Sequence, residues 1–147
     1  MGKLYLAYGS NLNLKDMKER CKNSILVGKT ELEGFRLVYK GIKDGEAYLT
    51  IEPSKRNFVP LGLFNIGIED EKVLDHYEGY PELYRKKYLP VNFNGEEIFG
   101  MIYIMNREFA YHLPSNKYIE TCLQGYCDLG FSPKILRKAM QYTKRNL

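Results

Sequence analysis

Apolar residues run unbroken from Leu4 to Tyr8, a short pattern that predicts a buried strand over residues 4–8. The run stops at Gly9-Ser10-Asn11. Leu14 and Met17 then recur at helical spacing, which predicts a helix over 13–21 with Asn11 or Asn13 as its N-cap. Residues 25–40 mix Val, Leu, Phe and Tyr with polar residues and read as one or two strands. Asp44-Gly45 makes a hairpin turn into a strand at 47–51, which Pro53 is expected to end. Val59 to Ile68 reads as a further strand. Over Asp70–Tyr77 a helix is expected, with Val73, Leu74 and Tyr77 on one face and with Gly79 and Pro81 as stops. Asn94-Gly95 is the strongest hairpin signal and joins strands at 84–93 and 97–105. Two helices close the chain, 115–129 capped by Ser115 and 133–145 opened by Ser132-Pro133.

This order is one strand, one helix, a run of strands interrupted by a helix, then two helices. It predicts an α+β fold with a mixed or barrel-like sheet, because curling removes exposed strand edges. At 147 residues the chain can bury roughly 70% of its unfolded surface and needs no disulfide or metal to hold a core. Cys21, Cys122 and Cys127 are odd in number and irregularly spaced, and His76 and His112 are the only imidazoles, so no metal site and no cofactor is expected. The net charge of +4 is spread along the sequence, with a mild excess at Lys134, Arg137, Lys138, Lys144 and Arg145 that reads as a solvated helix face. No nucleic-acid partner is expected. With no stretch long enough to span a membrane and no apolar leader before the first strand, the chain reads as soluble, reduced and cytoplasmic.

Two segments carry candidate chemistry. A strand that enters a helix through Gly9-Ser10-Asn11 leaves main-chain N–H groups free at a point of partial positive charge, which suits a carboxylate or the oxyanion of acyl transfer. The competing reading is a plain capped turn. There is no Walker lysine and no G-x-G-x-x-G, so a nucleotide loop is disfavoured. The second segment is Leu74–Val91, where Glu78 falls at a helix end among Tyr77, Tyr80 and Tyr84. Aromatic surroundings and the negative end of a helix both favour the neutral carboxyl, so Glu78 is a candidate general base; the competing reading is a surface glutamate beside a glycine cap. Glu82 lies four residues on, past the helix-breaking Pro81. The tyrosines at 5, 39, 48, 88 and 103 fall in strand patterns and read as core.

Taken together these pieces resemble the γ-glutamylcyclotransferase family (γ-glutamylcyclotransferase-like, AIG2-like superfamily). The resemblance rests on Ala7-Tyr8-Gly9-Ser10-Asn11-Leu12, on Leu74-Asp75 through Glu78-Gly79 to Tyr84, on Leu49-Thr50-Ile51-Glu52-Pro53, and on Pro114-Ser115-Asn116-Lys117-Tyr118 with Gly125 beyond it. It runs in order over nearly the whole chain and implies one domain over 1–147, a small mixed β-barrel flanked by helices. It implies a reaction in which the free α-amine of a γ-glutamyl amide attacks its own γ-carbonyl, forming 5-oxoproline and releasing an amine. It implies Glu78 as the catalytic acid and base. Tyr8, Gly9, Ser10, Asn11, Leu12, Tyr84 and Tyr118 would be the substrate-binding residues. No cofactor is implied; the partner is a small γ-glutamyl substrate, and a homodimer stays open. Two alternatives also stay open: a cyclotransferase acting on γ-glutamylamines or on a γ-glutamyl carrier protein, and a binding module without turnover.

Overall fold

The computed structural model describes residues 2–147. Among them the elements are β1 (Lys3–Ala7), a 3-10 turn (Ser10–Leu12), α1 (Leu14–Arg20), β2 (Ile25–Lys43), β3 (Glu46–Ile66), α2 (Ile68–Tyr77), β4 (Tyr84–Phe93), β5 (Glu96–Met105), β6 (Ala110–Tyr111), α3 (Asn116–Leu129) and α4 (Lys134–Arg145). The strands form one sheet in the order β4-β5-β1-β3-β2-β6. β1 pairs in parallel with β5 at Tyr5 and Met101, and antiparallel with β3 from Lys3–Ile66 to Ala7–Gly62. The expected α+β class and mixed sheet are therefore observed.

The sheet curls rather than lying flat. Thr30 on β2 donates its hydroxyl to the carbonyl of Asn92 on β4, although these strands lie far apart in the sheet order. Gly28 makes the approach possible, since a Cβ there would lie 2.4 Å from the Phe93 ring. The result is the half-barrel expected from a strand-rich chain that hides its edges.

Several sequence expectations need correction. Pro53 does not end a strand, because β3 continues through it to Ile66. The β2–β3 ladder does lose register there: Phe35 pairs with Pro53 and Glu33 with Phe58, so residues 54–57 stand opposite the single Gly34, whose φ is +84°. A proline without an N–H is tolerated at such a bulge. Side-chain bonds to Ser54 Oγ from Arg36 (2.8 Å) and Asn57 (2.5 Å) hold the excursion in place. The second correction concerns α2, which starts at Ile68; Asp70 accepts the Gly67 N–H at 3.2 Å and so caps its first turn. The third is its apolar face. Leu74 is fully buried, whereas Val73 and Tyr77 are each 42% exposed. Of the strand tyrosines, Tyr5, Tyr39 and Tyr103 are core, but Tyr88 is 52% exposed and bonded to Lys3.

The core lies between the sheet and the helices and includes Leu6, Leu12, Leu61, Leu63, Met101, Cys122 and Tyr126. α3 presses directly on the loop after β1, because a Cβ on Gly125 would lie 2.6 Å from the backbone of Leu12 and Asn13. Gly62 makes room in the same way for Leu12 and Leu129. The β1–α1 loop is thus clamped between β3 and α3. No helix among the described residues is long and apolar enough to cross a membrane.

Candidate active site

α2 ends in a Schellman motif. Tyr80 N–H bonds to the Asp75 carbonyl at 2.9 Å, Gly79 N–H bonds to the His76 carbonyl at 3.2 Å, and Gly79 adopts φ +64°. Glycine suits that left-handed position because it has no Cβ to clash. Glu78, the residue just before it, is thereby fixed at the helix end. The next residues are tied down in turn: Leu83 N–H bonds to the Gly79 carbonyl at 2.8 Å, and the Asn106 side chain donates to the carbonyls of Pro81 and Glu82. This fastening sets the register of β4, whose first ladder pair is Tyr84–Met105. Tyr84 is buried, and its hydroxyl donates to the Leu49 carbonyl at 2.7 Å.

Two cavities meet at Glu78. The outer one, about 290 Å³, is lined by Ser10, Tyr48, His76, Tyr77, Gly79, Leu83, Tyr84 and Tyr118 as well as Glu78. Beyond it lies a recess of about 20 Å³, walled by Tyr8, Gly9, Ser10, Asn11 and Leu49 and by Tyr5, Tyr84, Tyr103 and Tyr118. That volume admits one oxygen-sized group. Removal of water from its carboxyl pushes the Glu78 pKa up to about 7, against a smaller opposing pull from Arg20. The negative end of α2 acts in the same direction as burial.

The loop opposite Glu78 is held side chain by side chain. Ser10 Oγ and the Tyr77 hydroxyl are 2.8 Å apart. Asn11 accepts from Arg20 through Oδ1 and donates to the Tyr5 hydroxyl at 2.8 Å through Nδ2. The Tyr8 hydroxyl donates to the Tyr103 carbonyl at 2.6 Å, and the Tyr126 hydroxyl donates to the Tyr8 carbonyl at 3.1 Å. Within the 3-10 turn, Leu12 N–H bonds to the Gly9 carbonyl at 3.0 Å and Asn13 N–H to the Ser10 carbonyl at 3.1 Å. The amides of Gly9, Ser10 and Asn11 have no acceptor among the described residues, so three main-chain donors remain beside the recess.

Tyr118 is delivered by α3. Ser115 Oγ accepts the Tyr118 N–H at 3.1 Å, an N-cap that fixes the first turn and with it the ring. The Tyr118 hydroxyl accepts the Leu49 N–H at 3.0 Å. Leu49 therefore has its N–H on Tyr118 and its carbonyl on Tyr84, and two site tyrosines are locked to one residue of β3.

Of the residues singled out in the sequence, Tyr8, Gly9, Ser10, Asn11, Glu78, Tyr84 and Tyr118 all line these cavities. Leu12 does not. Its side chain is fully buried between Gly62 and Gly125 and its amide is committed to Gly9, so it anchors the loop instead of facing a ligand. Glu82 is exposed and lines neither cavity. Sequence reasoning missed Arg20, Tyr5, Tyr48 and Tyr103. Their strand and helix patterns carry no chemical signal, and only the tertiary arrangement of sheet and helices brings them together. Among the described residues no three His, Cys, Asp or Glu side chains gather as metal ligands would.

Several solved structures share this architecture. A gamma-glutamyl cyclotransferase superposes with a TM-score of 0.80 at 23% identity, over 95% of this chain and 87% of that one. An uncharacterized protein from Homo sapiens gives 0.79 at 24% identity, over 95% and 86%. An AIG2-like protein from Mus musculus gives 0.60 at 18% identity, over 80% and 82%. At these identities the likeness shows the fold. No curated protein matches the chain. The family model described as gamma-glutamyl cyclotransferase, AIG2-like, matches residues 5–121, from the strand that opens the site to the helix that carries Tyr118, and the chain belongs to that family.

Proposed function

We propose that this protein converts a γ-glutamyl amide into 5-oxoproline and a free amine, with Glu78 carrying the proton. The observation behind this reading is a carboxyl with its pKa near 7 that shares one recess with three unpaired main-chain amides. A pocket built only to bind carboxylates gains nothing from a carboxyl at its centre. A proton carrier working near neutral pH needs a carboxyl whose pKa has been raised in this way.

The nucleophile comes with the substrate. Folding the glutamyl chain brings its α-nitrogen against its own γ-carbonyl, so the site mainly selects an attack conformer. Glu78 as carboxylate takes a proton from the attacking nitrogen. The new C–N bond closes a five-membered ring and puts negative charge on the carbonyl oxygen. The amides of Gly9, Ser10 and Asn11 are the donors suited to that charge, or to the glutamyl carboxylate. The old C–N bond then breaks, and Glu78 returns the proton to the departing amine. Tyr84 and Tyr118 form the wall along which the glutamyl chain lies, and the outer cavity receives the leaving group.

The test is mass-spectrometric detection of 5-oxoproline from a panel of γ-glutamyl compounds with different leaving amines, with Glu78→Gln as control. Product from the parent and not from the variant is expected. A parent that binds γ-glutamyl compounds and releases no 5-oxoproline from any of them would make the protein a binding module.

A further inference from the structure

Arg20, the last residue of α1, touches both sides of the site without lining either cavity. Its guanidinium stacks on the Tyr77 ring, 3.5 Å from the centroid, and it donates to Asn11 Oδ1. Tyr77 is the last residue of α2, directly before Glu78, and Asn11 sits in the loop across the recess. A planar cation can stack on a ring and donate from its edge at once, which an ammonium cannot do. With Oδ1 occupied, the Asn11 amide can present only Nδ2 to Tyr5.

We propose that Arg20 is a positioning residue of this site: it locks the Ser10–Asn11 loop to the last turn of α2, and in doing so holds its positive charge on Tyr77, the residue next to Glu78.

Placed on Tyr77, that charge is the cation that Glu78 lacks elsewhere, because the other groups around the carboxyl are neutral or already paired. Tyr5 and Tyr8 from β1 and the loop after it, Tyr77 from α2, Tyr84 from β4, Tyr103 from β5, and Tyr118 and Cys122 from α3 all feel the Glu78 charge, and all have their pKa raised, burial being the first cause in each. They stay protonated and neutral through the range in which Glu78 titrates. Asp75 on α2 is engaged by the Tyr103 hydroxyl and by Lys86, which also pairs with Glu71. His76 lies on the exposed side of α2 at the outer cavity, and Arg85 acts on Tyr8. Arg20 is the cation whose charge opposes burial at Glu78.

The inference rests on Glu78 as proton carrier, yet its test does not need turnover. The Glu78 carboxyl is followed by carbon NMR in protein labelled at glutamate, its signal assigned by its loss in Glu78→Gln. Arg20→Gln is expected to move the Glu78 midpoint upward from about 7. Arg20→Lys, which keeps the charge but not the stack, should fall between that variant and the parent. Asn11→Ala, which frees the guanidinium without removing it, should also raise the midpoint. In an active parent, Arg20→Gln should further raise KM about tenfold or more through the loosened loop. Should Arg20→Gln not fold, Arg20→Lys and Asn11→Ala decide the matter. Midpoints equal to the parent's in the folded variants, with only a lower Tm, would reduce Arg20 to a structural prop and overturn the proposal. A parent without 5-oxoproline would remove the proposed activity and leave the titration result standing.

Discussion

Gly9 lies against the Tyr118 hydroxyl: a Cβ on the glycine would sit 3.3 Å from that oxygen and 3.6 Å from Leu49 Cβ. The missing side chain therefore serves the protein's own packing as well as the approach of a ligand. Tyr118 cannot simply retreat, because its hydroxyl is bonded to the Leu49 amide.

Substitution at Gly9 should accordingly grade with size. Gly9→Ala is expected to cost a few-fold in KM, and Gly9→Val about 10- to 100-fold in kcat/KM, the scale of a misplaced binding wall. Adding Tyr118→Phe to Gly9→Ala removes the atom in the way and should cost less than the two single effects summed. Steady-state kinetics beside Tm measurements check this. Additive costs would mean that the two residues do not act through this contact.

The stability of the protein should carry the mark of Glu78. Its folded pKa of about 7 lies above the ordinary 4.5, so the folded state holds a proton that the unfolded chain has released. Stability is then fully present below the unfolded value and falls as pH rises through the folded one. The penalty above that window is about 3 kcal/mol, from roughly 1.4 kcal/mol per unit. Glu78→Gln should therefore melt higher than the parent at pH values above 7, and the difference should close at acid pH. Thermal melts across pH test the sign. In turnover, the parent's kcat/KM should rise with pH through the same region, since the carboxylate is the form that accepts the proton.

Much of the site could be read from short-range chemistry. Glu78-Gly79 is a helix end followed by a left-handed glycine, Ser115 caps the turn that holds Tyr118, and Asn94-Gly95 turns the hairpin whose first strand begins at Tyr84. Each is a local rule obeyed locally. What escaped the sequence depends on the tertiary arrangement of sheet and helices. Tyr5 and Tyr103 meet because β1 lies beside β5, and Arg20 reaches the site because the end of α1 packs on the end of α2, adjacencies that no local pattern encodes. Pro53 misled for a related reason: the bulge that tolerates it, residues 54–57 set against the single Gly34, exists only through the pairing of β3 with β2. Leu12 belongs to the Ala7–Leu12 motif that the resemblance reads as substrate-binding, but the 3-10 turn points its side chain into the core.

The cysteines should be dispensable to the chemistry. Burial pushes the thiols of Cys21 and Cys122 up to about 11 and about 12, so neither supplies a thiolate near neutral pH. Cys127 is exposed on α3. Alkylation of the folded protein near neutral pH should add a single group, at Cys127 by peptide mapping, with activity retained. Inactivation that substrate prevents would instead point to a cysteine mechanism.

The comparison of Glu78 with Glu82 separates the competing accounts most directly. Both are carboxylates in one short segment, but Glu78 is half-buried where the two cavities meet, and Glu82 is exposed with its carbonyl held by Asn106. Glu78→Gln keeps shape and volume while removing the proton carrier. Loss of a general acid–base group costs about 10²–10⁴-fold, and a group used in both directions should lie at the upper end. Substrate binding should largely survive, since the main-chain donors and the tyrosine wall are untouched, so the loss belongs in kcat. Glu82→Gln should change kcat/KM by less than about twofold, as for a surface substitution away from the site. Single-turnover kinetics and binding titrations on both variants make the measurement. A dead Glu82→Gln beside an active Glu78→Gln would move the catalytic carboxylate out of the recess, and with it the mechanism proposed for this fold.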